Sequence, residues 1–222
     1  IFQPQWSPDG VLYFVSDRTN WWNLYRLRDG EVEPLTAIEA EFGQPQWVFR
    51  MSTYDFASAD RIVCSYTKDG RWHLATLDTR TRELTPLDVP YTEISNLRAA
   101  GDRAVFRGGS PTEPRSIVQV DLDSGTTEVL RRSSAVPVDE AYLSVPQAVD
   151  FPTAGEWEAH GFFYPPRNPD TSGPPDEEPP LLVISHGGPT GATSSTFDLS
   201  IQYWTSRGIA VLDVNYRGSV GY

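Results

Sequence analysis

Through the first 138 residues, apolar and polar positions alternate in short runs separated by turn residues. Alternation with a period of two predicts half-buried β-strands. Residues 11–16, 61–66 and 103–108 form one matching set of such runs. Residues 23–27, 73–77 and 116–120 form a second, and 34–36, 86–88 and 129–131 a third. The pairs Asp9-Gly10, Asp29-Gly30, Asp69-Gly70 and Ser124-Gly125 are the hairpin-turn candidates between them. Gln3-Pro4-Gln5-Trp6 also recurs unchanged as Gln44-Pro45-Gln46-Trp47. That repeat predicts that Trp6 and Trp47 occupy equivalent places in adjacent units. Four strands in each unit of about 40–45 residues is the signature of a propeller blade. A β-sandwich would not repeat a tetrapeptide in this way. About three blades fit into residues 1–138, and a closed propeller needs at least about four. The expectation is therefore a partial β-propeller within a longer protein.

From residue 139 the pattern changes. Residues 144–151 and 160–164 predict an antiparallel strand pair around a turn at 153–156. The stretch 165–180 is rich in proline and carries Asp176-Glu177-Glu178, which predicts a surface loop. Leu181-Leu182-Val183-Ile184-Ser185 is a continuous apolar run, as expected of a parallel strand covered on both faces. Phe197, Ile201 and Trp204 then fall on one face of a helix, with Ser195 and Asp198 as a capping pair and Gly208 as its terminator. Residues 209–214 predict the next parallel strand. The fold class expected is β-propeller blades followed by the N-terminal part of an α/β-hydrolase domain, with residues 139–222 forming the latter.

Composition narrows the partners. The formal net charge of −12 disfavours nucleic acid and anionic membrane surfaces. No run approaches the roughly 18 apolar residues needed to span a bilayer. The single Cys64 excludes an internal disulfide and lies in an apolar run, which predicts a buried, inert thiol. Trp6, Trp21, Trp22, Trp47 and Trp72 are expected to pack between blades. Asp9, Asp17 and Asp69 lack the dense spacing of a calcium loop and read as solvated turn residues. No cofactor or metal is expected, and the expected compartment is the cytoplasm.

The chemistry-bearing segment is His186-Gly187-Gly188-Pro189, which follows the apolar run at 181–185. Acyl transfer develops negative charge on the carbonyl oxygen, and losing one backbone donor at that point costs about 3–4 kcal/mol. A Gly-Gly pair lets the main chain approach a substrate closely. Pro189 has no N–H to give, so Gly187 and Gly188 are the candidate oxyanion-hole donors. Gly188 is favoured and Gly187 is the alternative. The proline is expected to restrict Gly188 toward extended backbone.

After the predicted helix and strand comes Asn215-Tyr216-Arg217-Gly218-Ser219-Val220-Gly221-Tyr222. With these two motifs in this order the sequence resembles the prolyl oligopeptidase family of serine peptidases. The nearer likeness is to its acylaminoacyl-peptidase and bacterial dipeptidyl-aminopeptidase-like branch. Ser144-Val145-Pro146 and Tyr164-Pro165-Pro166 resemble the family's entry into the catalytic domain. The resemblance is specific over 142–222 and architectural over the blades. It implies a serine peptidase acting on short peptides or on N-terminal aminoacyl or acylaminoacyl bonds, with a propeller limiting access. It implies that nucleophile, acid and base, in that order, come from the remainder of the same protein. Other branches carry a tyrosine where this chain has His186, so the tyrosine's hydrogen bond does not transfer. His186 is read as turn support.

No G-x-S-x-G nucleophile elbow occurs in the chain. Gly108-Gly109-Ser110-Pro111-Thr112 is a near miss in a blade loop, and Ser185 and Ser219 lack the flanking glycines. These 222 residues alone are therefore expected to be inactive. His73 and His160 read as structural. Arg217 is read as half of a structural ion pair, with a substrate carboxylate as the alternative partner. Two competing functions are an esterase or amidase of the same fold and a non-catalytic propeller that binds proteins.

Overall fold

A computed structural model describes residues 1–135, 138–188 and 190–222. Three four-stranded antiparallel sheets come first. β1 (Phe2–Trp6), β2 (Leu12–Ser16), β3 (Asn23–Arg28) and β4 (Glu31–Pro34) form the first, in sequential order. β5 (Tyr54–Phe56), β6 (Arg61–Lys68), β7 (Arg71–Asp78) and β8 (Leu84–Leu87) form the second. β9 (Glu93–Ala100), β10 (Arg103–Gly109), β11 (Ser116–Asp121) and β12 (Thr127–Arg132) form the third. Each sheet is a meander joined by tight turns, and all four Gly-containing pairs read from the sequence lie at such turns. Asp69 and Gly70 both take positive φ, +50° and +69°, the backbone of a hairpin whose twist matches its strands.

The second sheet lies between the other two, and its residues show why. Ile62, Cys64, Ala75 and Leu77 pack with Phe2, Tyr13, Val15 and Leu24 of the first sheet. Val63 and Leu74 point the other way, into Ile94, Ala104, Phe106 and Val118 of the third. A strand covered on both faces needs apolar residues at every position, which accounts for the near-continuous run in β6. Two arginines tie the layers. Arg26 pairs with Glu33 at 2.7 Å and donates to the Thr79 carbonyl at 2.8 Å. Arg61 pairs with Asp123 at 2.7 Å and donates to the Leu122 carbonyl at 2.6 Å. The Cys64 thiol is fully buried, and burial pushes its pKa up, so it is inert.

The tetrapeptide repeat does not mark equivalent places, which corrects the sequence expectation. Trp6 ends β1, whereas Trp47 lies in the irregular connection between β4 and β5. The counterpart of β1 is the three-residue strand Tyr54–Phe56. Neither tryptophan packs between sheets: Trp6 is 66% and Trp47 65% exposed. Trp22 and Trp72 do pack against the two cores.

The remaining strands form a mixed sheet. β13 (Gln147–Pro152) pairs antiparallel with β14 (Glu158–Tyr164), which pairs antiparallel with β16 (Ala210–Asn215). β15 (Leu181–Ser185) pairs parallel with β16, giving the order β13-β14-β16-β15. Residues 165–180 are irregular and largely exposed. β15 stands last in this order, and among the described residues only one of its faces is covered, not both as expected. Leu181 and Val183 are more than half exposed, while Leu182 and Ile184 pack inward.

The helix α1 (Leu199–Thr205) also departs from the expectation. Its N-cap is Asp198, whose carboxylate accepts from the Ser200 amide. Ser195 is instead drawn to Thr92, donating its hydroxyl at 3.0 Å. The buried face is Ile201, Gln202 and Thr205, and Trp204 stays exposed. The stop is as expected. The Gly208 amide donates to the Thr205 carbonyl and the Ile209 amide to the Trp204 carbonyl, with Gly208 in the left-handed region.

Candidate active site

The parallel strand β15 ends at Ser185 and delivers His186, Gly187 and Gly188 to the sheet's carboxyl edge. Among the described residues, the Gly187 and Gly188 amides have no hydrogen-bond partner, and both glycines are exposed. Gly188 has φ +77° rather than the extended backbone expected before a proline. Part of the pre-proline restriction acts through the residue's Cβ, and glycine has none, so it reaches the left-handed region more readily than other residues. Pro189 lies outside the described residues.

The turn is braced by the motif that follows β16. The Tyr216 hydroxyl donates to the Gly188 carbonyl at 2.5 Å. Its ring stacks on the His186 imidazole, with centroids 4.3 Å apart and planes inclined by 21°. His186 Nε2 lies 2.8 Å from Ser219 Oγ. This spacing resembles a base–nucleophile pair, but the Ser219 hydroxyl is buried and donates to the Tyr216 carbonyl at 2.6 Å. Its lone pair therefore accepts from Nε2–H, and its proton is already committed. The pair is a strut.

A second brace holds the chain beyond the turn. Asp213 and Asn215 sit two apart on β16, share a face and are both buried. Asn215 Oδ1 accepts from the Thr193 amide at 2.8 Å, and Asp213 accepts a short hydrogen bond from the Thr193 hydroxyl. The Val220 amide donates to the Gly191 carbonyl at 2.8 Å. Burial pushes the Asp213 carboxyl above the usual carboxylate range, with the Thr193 hydroxyl and the charge of His186 opposing. A raised folded-state pKa means that the native state holds the proton more tightly. Its contribution to stability is then fullest below the unfolded value of about 3.9 and falls as pH rises through the folded value. Asp213→Asn keeps an acceptor for Thr193 and removes that loss. Thermal melts should show the variant gaining on the parent between pH 4 and pH 7, and an unchanged difference over that range would contradict the assignment.

The other candidates do not join this cluster. Arg217 forms no ion pair among the described residues, contrary to expectation. Its guanidinium lies 3.5 Å from the ring centroid of Trp157, on the β13–β14 turn. Stacking on an exposed indole satisfies an arginine without a carboxylate. His160 pairs with Asp150 at 2.7 Å and stacks on Tyr222 at 4.2 Å. His73 stacks on Tyr66, and burial holds its pKa below the usual histidine value. Ser110 accepts the Phe197 amide through its carbonyl, so its loop is a docking point.

The mixed sheet meets the second and third antiparallel sheets on this side. Glu93 Oε2 accepts from Thr196 Oγ1 at 2.5 Å and from Arg115 Nε at 2.6 Å. The Gly70 amide donates to the Gly221 carbonyl at 3.2 Å. A cavity of about 230 Å³ lies between the 191–194 segment and residues Thr67, Trp72, Glu93 and Arg115. A second cavity, of about 340 Å³, opens beside the turn.

The sequence offers Tyr216 only as part of a motif and Ser219 only as a serine without flanking glycines, and no motif in it singles out Thr193 or Asp213. A signal existed for Asp213. Two polar residues at alternate positions of a buried parallel strand must have partners, and a short polar loop after the preceding strand is the place to look for them.

No protein-family model matches the chain. A Mycobacterium tuberculosis puromycin-hydrolyzing peptidase of known structure is 39% identical, with a TM-score of 0.92 over 99% of this chain and 34% of that one. The Pyrococcus horikoshii acylaminoacyl peptidase shares the fold, with a TM-score of 0.67 at 19% identity, covering 100% of this chain and 33% of that one. Among curated sequences, dipeptidyl aminopeptidase BIII of Pseudoxanthomonas mexicana is 32% identical over 131 residues, 57% of this chain and 19% of that protein. The chain thus spans about a third of the solved relatives' length. By these likenesses the chain is similar, over part of their length, to peptidases of the prolyl oligopeptidase family.

Proposed function

We propose that this chain supplies the oxyanion-hole turn and part of the gating propeller of a serine peptidase. In this reading residues 1–138 are about three propeller blades, and 139–222 are the first part of an α/β-hydrolase domain. The substrates are short peptides or compounds with an N-terminal aminoacyl or acylaminoacyl bond. The observation that carries the reading is the pair of unpartnered amides at the end of a parallel strand, held by Tyr216, His186 and Ser219. A donor that is already immobilised loses nothing to reorganisation when charge develops on the substrate. Gly188 is the principal donor and Gly187 the second. His186 is turn support, since its ring is committed to Tyr216 and Ser219. The relatives are named as peptidases and hydrolases, which favours an enzyme over a scaffold. Puromycin is the first substrate to try.

The intact protein should turn over an aminoacyl p-nitroanilide and lose that activity to a fluorophosphonate. Residues 1–222 alone should be inactive. Turnover that ignores the fluorophosphonate would contradict a serine nucleophile, and sensitive turnover by residues 1–222 alone would put the nucleophile within them.

A further inference from the structure

Gly108-Gly109-Ser110, which is no nucleophile elbow, lies where the third antiparallel sheet meets the chain beyond the turn, and it is shaped for that contact. Gly109 ends β10 directly opposite Glu93, the first residue of β9. A Cβ on Gly109 would stand 2.6 Å from Thr196 Cγ2, so the missing side chain leaves a notch that the threonine methyl fills. Glu93 Oε2 accepts the Thr196 hydroxyl at 2.5 Å and is itself fixed by Arg115 Nε at 2.6 Å. To either side, the Ser195 hydroxyl donates to Thr92 and the Phe197 amide to the Ser110 carbonyl.

Residues 191–198 form no helix or strand, so their place is set by what ties them down. One end is tied to the third sheet as described. At the other, Thr193 is held by Asp213 and Asn215, and the Gly191 carbonyl accepts the Val220 amide. The turn that carries Gly188 runs straight into this tether, and the Thr190 carbonyl would lie 3.8 Å from a Cβ on Gly188.

We propose that Glu93 is a positioning residue for the oxyanion donor: with the notch at Gly109 it anchors residues 191–197 to the third sheet and so sets where Gly188 stands. The effect on catalysis rests on the oxyanion reading of Gly188, and the anchoring rests on the contacts. Placement matters at this level, because a 1 Å error caused far from the chemistry can cost about 100-fold. Arg107 and Arg115 keep about half of their side-chain surface in solvent, so removing Glu93 strands no buried charge and the fold should survive.

The test uses the intact protein and an aminoacyl p-nitroanilide. Glu93→Ala and Gly109→Ala should each lower kcat about tenfold while leaving KM within about twofold. Gly109→Ala removes no polar group, and its methyl displaces Thr196 by contact alone. Glu93→Gln keeps an acceptor for Thr196 and should recover most of the loss. Adding Thr196→Val to Glu93→Ala should cost nothing further, because both remove the same hydrogen bond. An aminoacyl boronate, whose adduct builds the tetrahedral oxygen, should bind about tenfold more weakly to Glu93→Ala, and the matching amino alcohol, which has no carbonyl, should bind as before. Normal kcat in folded Glu93→Ala and Gly109→Ala would overturn the proposal. So would a rise in KM restricted to substrates with a free α-amine, since the carboxylate would then be meeting the substrate itself. If Gly188→Val keeps a normal kcat while these two variants lose theirs, the oxyanion reading falls and the anchoring of the site stands. If Gly188→Val loses kcat and they do not, the anchoring alone falls.

Discussion

Replacing Gly188 by valine in the intact protein should lower kcat by about 100-fold or more while changing KM little. Space is not the reason. The added Cβ would meet Trp47 Cζ2 at 3.7 Å and the Thr190 carbonyl at 3.8 Å, both ordinary contacts. The backbone is the reason. At φ +77° a β-branched residue is strained by about 1–3 kcal/mol, and the turn relieves this by rotating, which swings the amide away. The amide meets full negative charge only in the transition state, so its loss raises the barrier with little effect on ground-state binding. Gly187→Ala is the comparison, because Gly187 has no positive φ and no atom within 4 Å of its Cβ position. It should be the milder change. His186→Ala should also cost less than Gly188→Val, since it removes a strut and leaves the donor. A normal kcat in folded Gly188→Val would remove the proposed role. A larger loss at His186 would mean that the imidazole itself meets the substrate.

Phe162→Ala should destabilise the fold by about 3–5 kcal/mol, the usual cost of truncating a buried phenylalanine. Phe162 is 1% exposed on β14 and belongs to a core of four buried side chains, with Tyr164, Ile201 and Val211, against which Leu182 and Ile184 pack. So small a cluster has few neighbours with which to fill a void. The ring also reaches the second sheet, where its Cζ would lie 3.2 Å from a Cβ on Gly70. Its loss therefore loosens both the mixed sheet and the contact between sheets. Urea unfolding should show the midpoint shift, and a loss below about 1 kcal/mol would mean that the site collapses onto the cavity.

The sequence made the meanders legible because antiparallel pairing is local: a turn pair such as Asp69-Gly70 joins Lys68 to Arg71, the last matched residues of its ladder. It misled where identity stood in for pattern. Gln44-Pro45-Gln46-Trp47 copies the end of β1, yet it lies in a connection whose Trp47 amide closes a turn onto Pro45. The true counterpart, Tyr54–Phe56, is three residues long, too short for alternation to identify. Ser195 failed as a cap because Thr92, distant in sequence, competes for its hydroxyl. In the site, the glycines, the absent proline N–H and the need for oxyanion donors were readable from residue chemistry. The stacking of Tyr216 on His186 and the hold of Asp213 on Thr193 depend on the register of β16 against β15, which no local pattern encodes.

The central claim is that the turn after β15 presents a backbone donor to the oxyanion. A crystal structure of the intact protein with a peptidyl boronate or phosphonate on its nucleophile measures this directly. The negatively charged oxygen should lie about 2.7–3.1 Å from the Gly188 amide nitrogen, with Gly187 next nearest. An oxygen bound elsewhere, beyond hydrogen-bond reach of both amides, would contradict it.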